Sequence, residues 1–222
     1  MPATPAFAMP LGRRFAPRPG EYRFTRRIER ELRGSDRLVV ERTFAVALAE
    51  ENGGFHLAGQ QSTVAVEAPV ALQALADIER RRQEVALFPL DLDRSGLIVS
   101  GPGDSSAASP AVREAVDAAM AKLARDGKLA SGDHAGFMQL VQSSFGAFLS
   151  RLPTDLFAPL RTEWVETREV AAGDGISGQV EIRFDASADP LTGLLQHASR
   201  NVLTRLHGTE RQARESWSLE RS

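Results

Sequence analysis

From Leu38 to Leu48 every second residue is large, with Leu38, Val40, Arg42, Phe44, Val46 and Leu48 on one side. The other side reads Val39, Glu41, Thr43, Ala45 and Ala47. A strict period of two over such a length, in β-branched and aromatic residues, specifies a long strand with one apolar face. Tyr22, Phe24 and Ile28 before it, and Phe55, Leu57, Val64 and Val66 after it, repeat the pattern. Gly34-Ser35-Asp36 turns the first strand into the second, and Asn52-Gly53 is a hairpin signal because both residues tolerate positive φ. Three strands joined by short turns make an antiparallel meander whose apolar side must be covered. The third strand loses phase around Gly59-Gln60-Gln61, which predicts a bulge or bend there.

The covering elements are read from the middle of the chain. Pro69 opens a helix over about 70–83, with Leu72, Leu75, Ala76 and Ile78 on one side and Arg80-Arg81-Arg82 complementing the dipole at its end. Two short strands follow, over 85–92 and 96–101. Ser109-Pro110 starts a second helix that Gly127 stops, and a third runs from Asp133 to about Leu152. Phe137, Leu140, Val141, Phe145, Phe148 and Leu149 give the third an apolar face broader than a surface helix needs. Strands return at about 160–171 and 176–186, then as a hairpin of 195–206 and 209–219. Glu210, Gln212, Arg214, Ser216 and Ser218 mark a wet face on the last of these. The expected fold is therefore α+β: a curled antiparallel sheet, a half-barrel, with about three helices over its concave face. Residues 20–222 form a single domain, and the Pro/Ala-rich residues 1–19 are a disordered tail or the remnant of an export signal.

Composition narrows function by exclusion. The chain has 222 residues, with 42% hydrophobic and 25% charged, ordinary for a globular domain. Its 27 basic and 29 acidic residues leave a net charge of -2, so no global attraction to nucleic acid is expected. Arg26-Arg27 and Arg80-Arg81-Arg82 are interleaved with Glu29, Glu31, Glu79 and Glu84 and read as solvated faces. Without cysteine there is no disulfide, thiolate metal site or cysteine nucleophile. No apolar run is long enough for a transmembrane segment. Ala6-Phe7-Ala8 has small residues at the spacing a signal peptidase cleaves, which favours a periplasmic location over the cytoplasmic alternative.

Chemical motifs are sparse, and no catalytic motif is found. Asp91-Leu92-Asp93-Arg94-Ser95-Gly96 matches the first half of a calcium loop, but Pro102 stands where the bidentate acid is needed, so a β-turn is the better reading. His56, His134, His197 and His207 have no short ligand spacing, and no metal or other cofactor is expected. Glu163, Glu166 and Glu169 read as a solvated or salt-bridged strand rather than an acid–base pair. A buried carboxylate–histidine pair in a cleft would point instead to an enzyme.

The apolar residues are more suggestive. Phe24, Phe44, Phe55 and Phe184 from the sheet would confront Phe137, Val141, Phe145 and Phe148 from the helices. In tight contact they are a plain core; standing apart they line a cavity for an acyl chain. In its order of elements, over most of residues 20–221, the chain resembles the bacterial lipoprotein-carrier (LolA-like) half-barrel group. The resemblance implies a periplasmic, non-enzymatic protein holding a lipid or other hydrophobic small molecule between sheet and helices. It is a likeness of architecture without a sequence motif, and the group's lid segments and basic ligand-mouth residue are not placed residue by residue on this sequence. The alternative is a solid-core interaction module acting through its charged outer face.

Overall fold

The computed structural model describes residues 15–31, 36–85, 87–101, 152–172, 176–206 and 209–222. These form one antiparallel sheet of nine strands: β1 (Gly20–Glu31), β2 (Arg37–Glu51), β3 (Gly54–Glu67), β4 (Leu90–Leu92), β5 (Ile98–Ser100), β6 (Glu163–Ala172), β7 (Ile176–Ala188), β8 (Leu195–Leu206) and β9 (Thr209–Arg221). Their spatial order is β5-β4-β3-β2-β1-β9-β8-β7-β6. Two meanders, one from each end of the chain, are thus stitched together where β1 pairs with β9, Phe24 opposite Leu219 and Ile28 opposite Glu215.

The hairpin between β2 and β3 turns on Asn52 and Gly53, with φ of 50° and 77°, as the dipeptide requires. The phase loss in β3 is a bulge: Thr43 faces Thr63 while Phe44 faces Gln61, so Ser62 is the extra residue. Its hydroxyl donates to the Thr43 carbonyl at 3.1 Å. Gly59 sits beside this irregularity for a steric reason, since a Cβ there would come within 2.5 Å of the Phe88 ring.

The α+β fold with three helices is corrected by this structure. Among the described residues there is one short 3-10 turn, Val70–Leu72, continuing into one helix, α1 (Gln73–Arg81). The expected second and third helices lie outside the described residues. Around the aromatic part of the sheet, the covering role assigned to helices is taken by irregular chain. Phe15, Leu87, Phe88, Leu156, Phe157 and Ala158 join the strand residues in one core cluster. Such segments suffice because covering a face requires only apolar area at the right place, worth roughly 25 cal/mol per Å² whatever the backbone geometry. The backbone groups of these segments are still satisfied: Leu195 N donates to Phe157 O at 2.9 Å and Ile98 N to Thr154 O at 2.8 Å. Helix α1 lies over β3, burying Leu75, Ala76 and Glu79.

Candidate functional site

The inner face of the sheet is built in layers, because antiparallel register places in-phase residues of successive strands side by side. The aromatic layer comes first. Phe24 and Phe44 are directly opposed, their ring centroids 6.1 Å apart, and Phe88 and Phe157 each lie 5.7 Å from Phe24. Phe184 stacks on Trp164 at 5.6 Å and approaches Trp217 at 6.5 Å. Of the residues singled out in the sequence, Phe24, Phe44 and Phe184 are thus in one buried cluster, with Phe55 at its margin. Phe137, Val141, Phe145 and Phe148 lie outside the described residues. This half of the inner face is closely filled.

The second layer is charged. Arg26 and Arg42 are opposed on β1 and β2, and both are buried with Arg30. Arg26 Nε donates to Glu215 Oε1 at 2.7 Å, and Arg200 Nη2 to Glu215 Oε2 at 2.5 Å. The Arg200 guanidinium also lies 5.4 Å from the centroid of the Trp217 ring. Arg42 Nη2 donates to Glu79 Oε2 of α1 at 2.5 Å, and Arg82 lies 3.6 Å from the other Glu79 oxygen. Burial pushes the Arg30 guanidinium down to about 10, with Arg26 adding to the fall and Glu215 opposing it. It therefore remains protonated at neutral pH.

Reading Arg26-Arg27 as a solvated pair misses this layer, since alternation sends neighbours to opposite faces. Arg27 is on the outside, bonded to Glu29 at 2.7 Å and Glu41 at 3.2 Å, while Arg26 is inside. The signal was phase: Arg26 and Arg30 alternate in step with Phe24 and Ile28, Arg42 with Val40 and Phe44, and Glu215 with Trp217 and Leu219. The same face also carries aliphatic side chains. Leu38, Arg30, Ala213, Val202 and Ile182 share its last row, Leu38, Arg30 and Val202 buried and Ala213 and Ile182 half-buried, while Val40 and the half-buried Ile28 lie one row nearer the aromatic end, beside Glu215.

A second arrangement lies at the β3–β4–β5 edge, in an open cleft of about 660 Å³ lined by His56, Asp91, Ser100 and the Asn52–Gly54 turn. His56 Nδ1 is 2.6 Å from Asp91 Oδ1, and Ser100 Oγ donates to Asp91 Oδ2. An ionised carboxylate only accepts, so Nδ1 carries the proton of this hydrogen bond. The hydrogen bond from Ser100, then that from His56, holds the Asp91 carboxyl below its usual range. Sequence reasoning left this pair unjoined because its members are 35 residues apart and β4 was drawn too long to show which residue faces His56. It is a carboxylate–histidine pair in a cleft, but an exposed one, with side-chain exposures of 31% and 53%. Ser100 bonds to the aspartate rather than the imidazole, so these three do not form a nucleophile–base relay. Asp93 is engaged by its own turn, accepting from Ser95 N at 2.8 Å, Ser95 Oγ at 2.6 Å and Leu97 N at 3.0 Å. Glu163 and Glu169 are exposed on the edge strand β6.

Fold and site together define an antiparallel-sheet protein whose inner face carries a buried aromatic cluster, buried arginine–glutamate pairs and aliphatic side chains, with ion pairs on its outer face. No protein-family model matches the chain, and no curated protein matches it, so the lipoprotein-carrier resemblance has no sequence counterpart. Among solved structures the chain is similar to one described as lipid–protein interactions in lipovitellin, at 10% identity and a TM-score of 0.32. The match covers 90% of this chain and 25% of that one. A likeness at that level decides neither the fold nor the ligand of this chain.

Proposed function

We propose that this is a non-enzymatic periplasmic protein that holds a hydrophobic, lipid-like ligand against the inner face of its sheet. The observation that carries the reading is the contrast between the two ends of that face. The aromatic end is filled by its own chain, whereas Ala213 and Ile182 at the far end remain half-buried on either side of Val202. In register, Ala213 of β9, Val202 of β8 and Ile182 of β7 offer a hydrocarbon chain apolar area in a row, the requirement for non-directional affinity. Export is supported by Ala6-Phe7-Ala8.

The test is native mass spectrometry and solvent extraction of gently purified full-length protein, followed by titration with a fluorescent fatty acid. A stoichiometric co-purifying lipid, and roughly tenfold weaker probe binding in Ile182→Glu, are the expected results, a tenfold change being about 1.4 kcal/mol. Protein that emerges empty and leaves the probe in water would overturn the reading. A second reading, an assembly module with a solid core, is favoured by the filled aromatic end. It predicts an empty protein that binds a macromolecular partner through the outer face, where Arg27, Glu29 and Glu41 are joined to one another.

A further inference from the structure

At the end of the inner face opposite Val202, the Tyr22 hydroxyl donates to the Arg18 carbonyl at 2.6 Å. Across the seam Tyr22 pairs with Arg221 of β9. This hydrogen bond and the strand pairing bring two arginines from opposite ends of the chain to one tyrosine. Both line an open cleft of about 630 Å³, within the roughly 300–1,000 Å³ typical of small-molecule sites. The same cleft has apolar walls in Leu194 and Leu219, which are buried, and Leu191, which is 83% exposed. Arg18 and Arg221 are exposed too, and among the described residues neither guanidinium has a hydrogen-bonded acceptor. The two carboxylates that share the cleft are engaged elsewhere. Asp189 Oδ1 accepts from Leu191 N, Thr192 N and Thr192 Oγ1 of its own turn, and Glu220 lies 4.0 Å from Arg23. Burial pushes the Tyr22 phenol above its ordinary value, with Asp189 adding to the rise and Arg221 and Arg18 opposing it. The phenol is therefore neutral at neutral pH and does not repel a negative ligand.

We propose that this cleft binds a monocarboxylate with a short hydrocarbon body, its carboxylate held between Arg18 and Arg221 and its chain laid along Leu191, Leu194 and Leu219. The planar guanidinium fork fits the two oxygens of a carboxylate. Charge sets the number. Arg18 and Arg221 share the cleft with Asp189, while Glu220 is matched by Arg23, so one negative charge completes the balance. The two charges of a phosphate monoester would exceed it. The leucines set the body, because Leu191 gains by leaving water and a wholly polar ligand gives it nothing to bury against. Arg30, in the row of Ala213, Val202 and Ile182, is eight residues along β1 from Tyr22, or about 27 Å of strand. The site is separate from the lipid-like ligand proposed at that far end and does not depend on it.

The experiment is an NMR titration of the full-length protein with octanoate, read at the amides of residues 191–195, with 1-octanol and octylamine as neutral and cationic controls. Octanoate should shift these signals saturably, and octylamine should leave them unmoved. 1-Octanol should bind about tenfold more weakly than octanoate, for want of the charge-assisted hydrogen bonds. Arg18→Gln and Arg221→Gln should each weaken octanoate about tenfold, and as exposed positions neither puts folding at stake. Ile182→Glu, which disables the far end, should leave octanoate binding unchanged. No saturable shift, equal affinity for 1-octanol, or an undiminished response in Arg221→Gln would each overturn the proposal. Binding lost in Ile182→Glu but kept in Arg221→Gln would place the carboxylate at the far end, overturning this site while sparing the lipid-holding reading.

Discussion

Asp189 shows how much of this fold rests on single side chains in turns. Its carboxylate accepts from Leu191 N at 2.9 Å, Thr192 N at 2.8 Å and Thr192 Oγ1 at 3.0 Å, closing the corner between β7 and β8. Gly193, at φ 74°, completes the corner where a side chain would be strained. The backbone amides of Thr192 and Leu191, then the Thr192 hydroxyl, hold the Asp189 carboxyl below its usual range. A depressed carboxyl stabilises the fold above its unfolded pKa of about 3.9 and loses that contribution as the pH falls through the folded value. Asp189→Ala should therefore melt lower than the wild type at pH 7, and the gap should close in acid. Carboxyl titration by NMR checks the shift independently. In the sequence this corner was legible only as the gap between the strands at 176–186 and 195–206, and which donors the carboxylate collects depends on the turn geometry.

At the scale of elements, the docking of α1 turns on one buried pair. The helix was legible from Pro69 and its apolar side, and Leu72, Leu75 and Ala76 are buried as that side implies. Glu79 was grouped with the surface charges, yet it is 3% exposed, one turn beyond Leu75 and Ala76, and meets Arg42 of β2. Glu79→Ala leaves Arg42 buried beside fewer acceptors and should cost about 3–5 kcal/mol in urea unfolding. Replacing both partners, Arg42→Met with Glu79→Leu, should restore most of that stability, since the charges and their desolvation disappear together. If the double variant is no better than Glu79→Ala, the pair acts through shape rather than charge. Helix α1 is also anchored by Arg80, whose Nη2 donates to the Val66 carbonyl at 3.1 Å. A cation read only as complementing the helix dipole therefore also ties helix to strand.

For the whole molecule, the seam between β1 and β9 is decisive. It joins strands from opposite ends of the chain, Tyr22 opposite Arg221 and Arg30 opposite Ala213, and the core runs across it from Phe24 to Trp217 and Phe184. Because that core belongs to both meanders, neither retains its buried area alone, and the sheet should unfold as one unit. The two tryptophans report on opposite parts, Trp164 on the edge strand β6 and Trp217 on central β9. Single-tryptophan variants Trp164→Phe and Trp217→Phe should give coincident urea transitions by fluorescence. Two separated midpoints would show that the C-terminal meander holds together independently. Pairing across such a sequence separation also predicts slow folding, as loop closure precedes the reward of contact.

The alternation of side chains determined by itself that there would be long strands with one apolar face, where the hairpin at Asn52-Gly53 would turn, and where β3 would break phase. Those are local consequences of backbone geometry and need no partner. Only the tertiary structure decided that β1 lies against β9, that loops cover the aromatic end of the sheet, and that Arg26, Arg30, Arg42, Glu79 and Glu215 meet inside. Strand order, cover and ion pairing depend on contacts between residues far apart in the chain, and a period of two fixes which face a side chain takes without fixing what it will find there.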